Sequence, residues 1–307
     1  MFTRVIVPLD GSPLAQSALP YALALADAAG IPMTLLQVVA PLATTLDFDW
    51  QYDASLEATA LARAYDALVP LTQSLHTAGR RVETQVLLGD APAEILHYAD
   101  RGAQDLLVMA THGRGGALHW AFGSVARKVL TTTDTPLLIV RPSRVPEQPA
   151  QPAVIRSILV PLDGSARAET VLPLVRAVAK SCNAQVTLTR VVPLIPSDYV
   201  MSSYTTPSEL TYLDEITAAA RAAATQHLGT LAAAWTAAGV KTEAVVQTGE
   251  VSRTLLETIA SGGYDLVAMT THGRTGLSRW VLGSVAERLI EGSHTPILLV
   301  RSGDETK

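Results

Sequence analysis

One cysteine among 307 residues, Cys182, leaves no partner for an intramolecular disulfide and no thiolate cluster for a metal. With no acid or base beside it in a recognisable pattern, it reads as a small core or surface residue and not as a nucleophile. Charged residues make up only 17% of the chain, the net charge is -5 and no basic stripe is present, which argues against nucleic-acid binding. No apolar run approaches the roughly 20 residues of a membrane span. Met1-Phe2-Thr3-Arg4 passes straight into Val-Ile-Val and leaves no room for an export signal. A soluble, cytoplasmic protein without membrane contact is expected. Also missing is any Gly-Lys-Ser/Thr phosphate loop.

What is present is a duplication. Val7-Pro8-Leu9-Asp10-Gly11-Ser12 returns as Val160-Pro161-Leu162-Asp163-Gly164-Ser165, and Thr111-His112-Gly113-Arg114 as Thr271-His272-Gly273-Arg274. Asp10 and Val38 lie 153 residues before Asp163 and Val191, whereas Gly79, Gly89, Gly123 and Pro136 lie 160 before their counterparts. The second copy has therefore gained seven residues, for which the Pro193 to Pro207 stretch, crowded with Pro, Ser, Thr and Tyr, is the expected home. A period this long marks duplicated domains. The expected boundaries are 1–143 and 154–307, joined by a linker at 144–153 in a proline-rich run.

In each copy short β-rich apolar runs alternate with alanine-rich helical stretches, the pattern of a parallel sheet covered by helices, an α/β class. Strands are predicted at 5–8, 34–39, 82–88, 106–109 and 137–140, and again at 158–161, 185–192, 241–247, 266–269 and 297–300. They are expected as two five-stranded sheets. Helical composition marks 15–29, 56–78, 169–181 and 212–238, with Gly30, Gly79 and Gly239 at the stops.

In an open parallel sheet, ligands gather at the carboxyl ends of the strands. Asp10 and Asp163 follow the first strand of each copy, and His112-Gly113 and His272-Gly273 follow the fourth. Gly123-Ser124 and Gly283-Ser284 then look like the start of a helix, where a serine can cap and the free amides favour an anion. Arg114, Arg127 and Lys128, with Arg274 and Arg288, add positive charge nearby. Each feature also has a plainer reading. The aspartates can simply cap the next helix, the histidines have no catalytic partner in sequence, and Trp120 and Trp280 suit core anchoring better than base stacking.

Taken in order, these motifs resemble the universal stress protein family, twice over and across essentially the whole chain. The resemblance implies two Rossmann-like domains of the adenine-nucleotide α-hydrolase-like group, strand order 3-2-1-4-5, and binding of ATP, ADP or AMP, with or without Mg2+. Carried over by position, it implies nucleotide contacts from Pro8, Leu9, Asp10, Val38, Met109, Ala110, His112, Gly113, Arg114, Gly123, Ser124 and Val125. In the second copy it implies Pro161, Leu162, Asp163, Val191, Met269, Thr270, His272, Gly273, Arg274, Gly283, Ser284 and Val285. One departure stands out: the family's first loop glycine is Ala110 in one copy and Thr270 in the other. Threonine resists positive φ and is expected to bring bulk towards the phosphates.

The resemblance also implies that strands 137–140 and 297–300 pair, so that the halves mimic a dimer within one chain, and a homodimer of chains is expected. No catalytic or metal-ligating residue is assigned. Three functions stay open: a nucleotide-binding stress-response regulator, an interaction module of the same fold with degenerate sites, and a slow ATPase whose general base the sequence does not show.

Overall fold

The computed structural model describes residues 2–41, 54–100, 104–112, 122–142, 150–193, 207–271 and 282–301. The first repeat runs β1 (Arg4–Leu9), a 3-10 turn (Ala15–Ala18), α1 (Leu19–Ala29), β2 (Met33–Val39), α2 (Ala54–Thr77), β3 (Val82–Leu88), α3 (Ala91–Asp100), β4 (Asp105–Ala110), α4 (Ser124–Thr132) and β5 (Leu137–Val140). The second runs β6 (Ser157–Pro161), α5 (Ala166–Glu169), α6 (Leu172–Cys182), β7 (Gln185–Pro193), α7 (Pro207–Ala237), β8 (Thr242–Gly249), α8 (Val251–Gly262), β9 (Leu266–Thr270), α9 (Ser284–Gly292) and β10 (Ile297–Val300).

All ten expected strands are present; the inner ones are runs of β-branched and leucine residues buried on both faces, whereas β3 and β8 mix in polar residues and are largely part-exposed. Val5, Ile6 and Val7 of β1 and Leu106, Leu107 and Val108 of β4 are wholly buried. The helices depart from expectation in three places. The stretch 15–29 divides into a 3-10 turn and a helix, since Pro20 belongs in a first turn, where its missing N–H costs nothing. Pro207 opens α7, so helix starts ahead of Tyr212; residues 194–206, most of the expected home of the insertion, lie outside the described residues. Two helices, α3 and α8, have no counterpart in the sequence reading. Both follow a strand-ending glycine and start on an acid: Asp90 Oδ2 accepts from the Ala93 amide at 3.4 Å, and the Glu250 carboxylate from Ser252 and Arg253 at 3.3 and 2.6 Å.

Two compact units result. The first unit comprises Met1–Val154 together with Pro296–Arg301, so it includes β10 from the second repeat. Its strand order is β3-β2-β1-β4-β5-β10. Four of those neighbouring pairs are parallel, and β10 lies antiparallel on β5 with Leu298 opposite Leu138. The expected pairing of the two final strands is thus present; it leaves six strands in one unit and four, β9-β6-β7-β8, in the other. Backbone groups on the outer edge of β5 would otherwise be open to pairing with another chain, and the borrowed strand satisfies them.

The repeats solve one problem differently at the amino ends of β1 and β6. Asp105, with 3% of its side chain exposed, is held by both donors of Arg4 at 3.0 and 2.6 Å, and the guanidinium lies 4.9 Å from the Tyr98 ring centre. Its counterpart Asp265 accepts from the backbone amides of Arg156 and Ser157 at 2.8 and 2.9 Å and from the Ser157 hydroxyl at 3.0 Å. Removing the partner of a buried charge costs about 3–5 kcal/mol, while losing one neutral donor among several costs about 1 kcal/mol. Chemical denaturation is therefore expected to show Arg4→Met destabilising the protein several-fold more than Ser157→Ala.

Candidate functional site

In the first unit the carboxyl ends of β1, β2 and β4 and the starts of α3 and α4 surround a cavity of about 270 Å³. Its walls include Pro8, Leu9, Asp10, Val38, Met109, Ala110, His112, Gly123, Ser124 and Val125, ten residues that the motifs singled out. Gly113 and Arg114 lie outside the described residues, as do Trp120, Trp280, His272, Gly273 and Arg274. The wall also holds residues not assigned as contacts: Ala15, Leu36, Ala91, Ile95, Thr111 and Ala126. Leu36 was findable, because side chains two apart on a strand share a face and Leu36 is two before Val38. Ala91 and Ile95 were not, since α3 itself went unread.

The turn after β1 is built by its own side chains. Asp10 Oδ1 accepts from the Ser12 amide at 2.9 Å, and Ser12 Oγ accepts from the Ala15 amide at 3.2 Å. The second unit repeats this with Asp163 on the Ser165 amide at 2.9 Å and on its hydroxyl at 2.6 Å, and with Ser165 capping α5 through the Ala168 amide at 3.1 Å. In the second unit the serine is the helix cap, and in both units the aspartate orders the turn that presents the serine. Gly164 takes φ of 80°, as does Gly11, a left-handed conformation that favours glycine. A side chain at Gly164 would also meet the Arg190 guanidinium.

At the other end, Gly123 donates its amide to the Thr111 carbonyl at 2.8 Å and accepts from the Arg127 amide at 3.0 Å. Its φ of -69° is open to any residue. The reason for glycine is proximity: a Cβ there would stand 3.2 Å from the Thr111 carbonyl oxygen. The cap position belongs to Gly123, and Ser124, expected to cap, is instead the first helical residue and makes no side-chain cap bond. The amides of Ser124, Val125 and Ala126 have no acceptor within the helix and line the cavity, with the positive end of the helix dipole behind them. His112 stands beside them, its Nδ1 2.9 Å from Thr111 Oγ1.

Two expectations about this region change. Ala110 and Thr270 end β4 and β9, and neither has positive φ, so threonine brings no backbone strain. Two of the helix-borne cations are engaged elsewhere: Lys128 pairs with Asp90 and Arg288 with Glu250, each at 3.2 Å and each largely exposed. These equivalent pairs tie the starts of α3 and α8 to α4 and α9.

The second unit places its counterparts in the same register. Gly283 donates to the Thr271 carbonyl at 2.8 Å and caps α9 with extended backbone, as Gly123 does α4. Leu162, Val191, Met269 and Thr270 are buried, and the Leu162 amide reaches the Thr189 carbonyl at 2.8 Å. Among the described residues there is no group of three or more His, Cys, Asp or Glu suited to a metal ion, and no helix long and apolar enough to cross a membrane. Apolar walls, a carboxylate loop on one side and three open amides on the other fit a ligand with a flat apolar part, hydroxyls and an anionic tail.

The sequence matches the model of the universal stress protein family at residues 1–141 and again at 155–301. Universal stress protein MJ0531 of Methanocaldococcus jannaschii is 30% identical over 144 residues, 46% of this chain and 83% of that protein. A universal stress protein of Thermus aquaticus is 30% identical over 145 residues, 46% of this chain and 100% of its own length. The crystal structure of a universal stress protein from Archaeoglobus fulgidus covers 99% of this chain and 100% of its own, with TM-score 0.69 and 18% identity, a likeness of fold. With the family pattern met once in each half, the chain belongs to the universal stress protein family as a tandem member.

Proposed function

We propose that the first unit binds an adenine nucleotide and that the protein acts as a nucleotide-dependent regulator. One observation carries this reading: a single cavity brings together the Asp10 loop, the end of β2 at Val38 and the open amides of Ser124, Val125 and Ala126. The base lies against Leu36, Val38, Ile95 and Met109, where burial of a flat apolar ring is favourable and backbone groups at the strand end read its edge. The ribose hydroxyls face the Asp10 loop, and the phosphates take the amides at the start of α4. A volume of about 270 Å³ suits a nucleoside, with the anionic tail at the mouth.

Calorimetric titration of protein stripped of bound nucleotide tests this. ATP is expected to bind and to raise the unfolding temperature as mass action requires. Absence of both heat and thermal shift at millimolar ATP refutes the reading. Because the amides favour negative charge, ATP is expected to bind about tenfold more tightly than adenosine, equivalent to about 1.4 kcal/mol, with the advantage shrinking as salt is added.

Two substitutions locate the ligand. Ala91 is half-exposed on the cavity wall, so Ala91→Trp is expected to fill the cavity and abolish binding in the first unit while leaving the fold intact. Gly123→Val crowds the Thr111 carbonyl and is expected to weaken ATP much more than adenosine. An unchanged ATP affinity of the first unit in Ala91→Trp, with the circular dichroism spectrum preserved, contradicts the site.

A further inference from the structure

Leu36 and Thr189 occupy the same rung of the two sheets. Leu36 lies opposite Pro8 on β1 and Gln85 on β3, and Thr189 opposite the equivalent Pro161 on β6 and Val245 on β8. In the first unit Leu36 and Val38 line the cavity while Gln37 between them does not. Strand alternation therefore turns Thr189 to the cavity side of β7, together with Val191, and turns Arg190 away.

Among the described residues Thr189 is fully buried and its hydroxyl has no hydrogen-bond partner, a condition shared with Thr34 and Gln37 of β2, neither of which lines the first unit's cavity. Buried polar groups are almost always satisfied, and an orphaned hydroxyl is a standing cost to the folded protein. A leucine at the same rung of the first unit shows that the fold does not need a hydroxyl there. In the first unit the equivalent Leu36 and the start of α4 at Ser124, Val125 and Ala126 line one cavity, so the shared register turns Thr189 toward the start of α9, where Gly283 is pinned to Thr271. Thr270, also buried, replaces the first unit's Ala110.

From this contrast we infer that the second unit is a selective purine-nucleotide site in which the Thr189 hydroxyl hydrogen-bonds a heteroatom of the base, whereas the first unit's apolar floor reads the base by shape. The inference rests on the nucleotide reading of the first unit. A hydroxyl that is unpaired until the correct base arrives rewards that base and leaves an analogue without the heteroatom to bury the orphan. A hydrocarbon floor makes no such distinction.

The test compares ATP, ITP and purine riboside triphosphate by calorimetry in two backgrounds, Ala91→Trp, which blocks the first unit, and Val251→Trp, which places the same obstruction in the second. The second unit is expected to bind the better of ATP and ITP more than about tenfold more tightly than purine riboside triphosphate, which lacks the 6-substituent, and the first unit to spread the three by less than about threefold. Thr189→Val, nearly isosteric, is expected to weaken the preferred nucleotide at the second unit about tenfold and to raise the unfolding temperature of the ligand-free protein. In the Val251→Trp background, Leu36→Thr is expected to introduce discrimination in the first unit.

Equal spreads at the two units, or an affinity of Thr189→Val within twofold of the parent, overturns the inference. Binding in the first unit with none in the second overturns it while leaving the nucleotide reading standing. Absence of binding in both overturns the two together.

Discussion

A hydrogen bond of 2.8 Å from the Gly123 amide to the Thr111 carbonyl holds the site in place. Thr111 is fixed in turn by its own amide, which reaches the Val140 carbonyl on β5 at 2.9 Å, so the start of α4 is anchored to the rigid centre of the sheet. Without that anchor the open amides of α4 would be an ordinary helix terminus facing water. With it, they form one wall of a cavity whose other walls are strand ends. The approach is close enough that a Cβ would press on the carbonyl it bonds, which is why glycine stands there despite an unremarkable φ. Gly283 and Thr271 repeat the bond at the same length.

The sheet makes this geometry possible. Strands buried on both faces leave their carboxyl ends as the place where backbone and polar side chains meet a concave surface. The turn after β1 exploits this with a carboxylate and a serine that accept from the amides of the chain that follows, and after β6 the equivalent serine caps α5. Aspartate and serine thus have structural work in the turn, and Asp10 also lines the cavity.

The strands were legible because parallel buried strands are written as dense apolar runs. The ligand-facing loops were legible because glycine, aspartate and serine sit at fixed offsets in both copies. Two helices were harder: α3 and α8 begin on a single acid, without the glycine-serine pair that announced α4 and α9. Their loss concealed Ala91 and Ile95, and with them one side of the cavity. The borrowing of β10 by the first unit's sheet followed from family resemblance and could not be read from strand composition, since Ile297–Val300 would suit either sheet. Thr189 escaped notice because a threonine in a strand is ordinary until its hydroxyl is found buried and unpartnered.

The central claim is that the amides opening α4 are the anion-binding end of a nucleotide site. Amide-resolved NMR during titration with ATP tests it most directly. The account predicts that the Ser124, Val125 and Ala126 resonances shift in proportion to occupancy, that Val38 moves with them, and that adenosine moves Val38 while leaving the α4 amides nearly still. Saturable ATP binding that leaves all three α4 amides unmoved would contradict it.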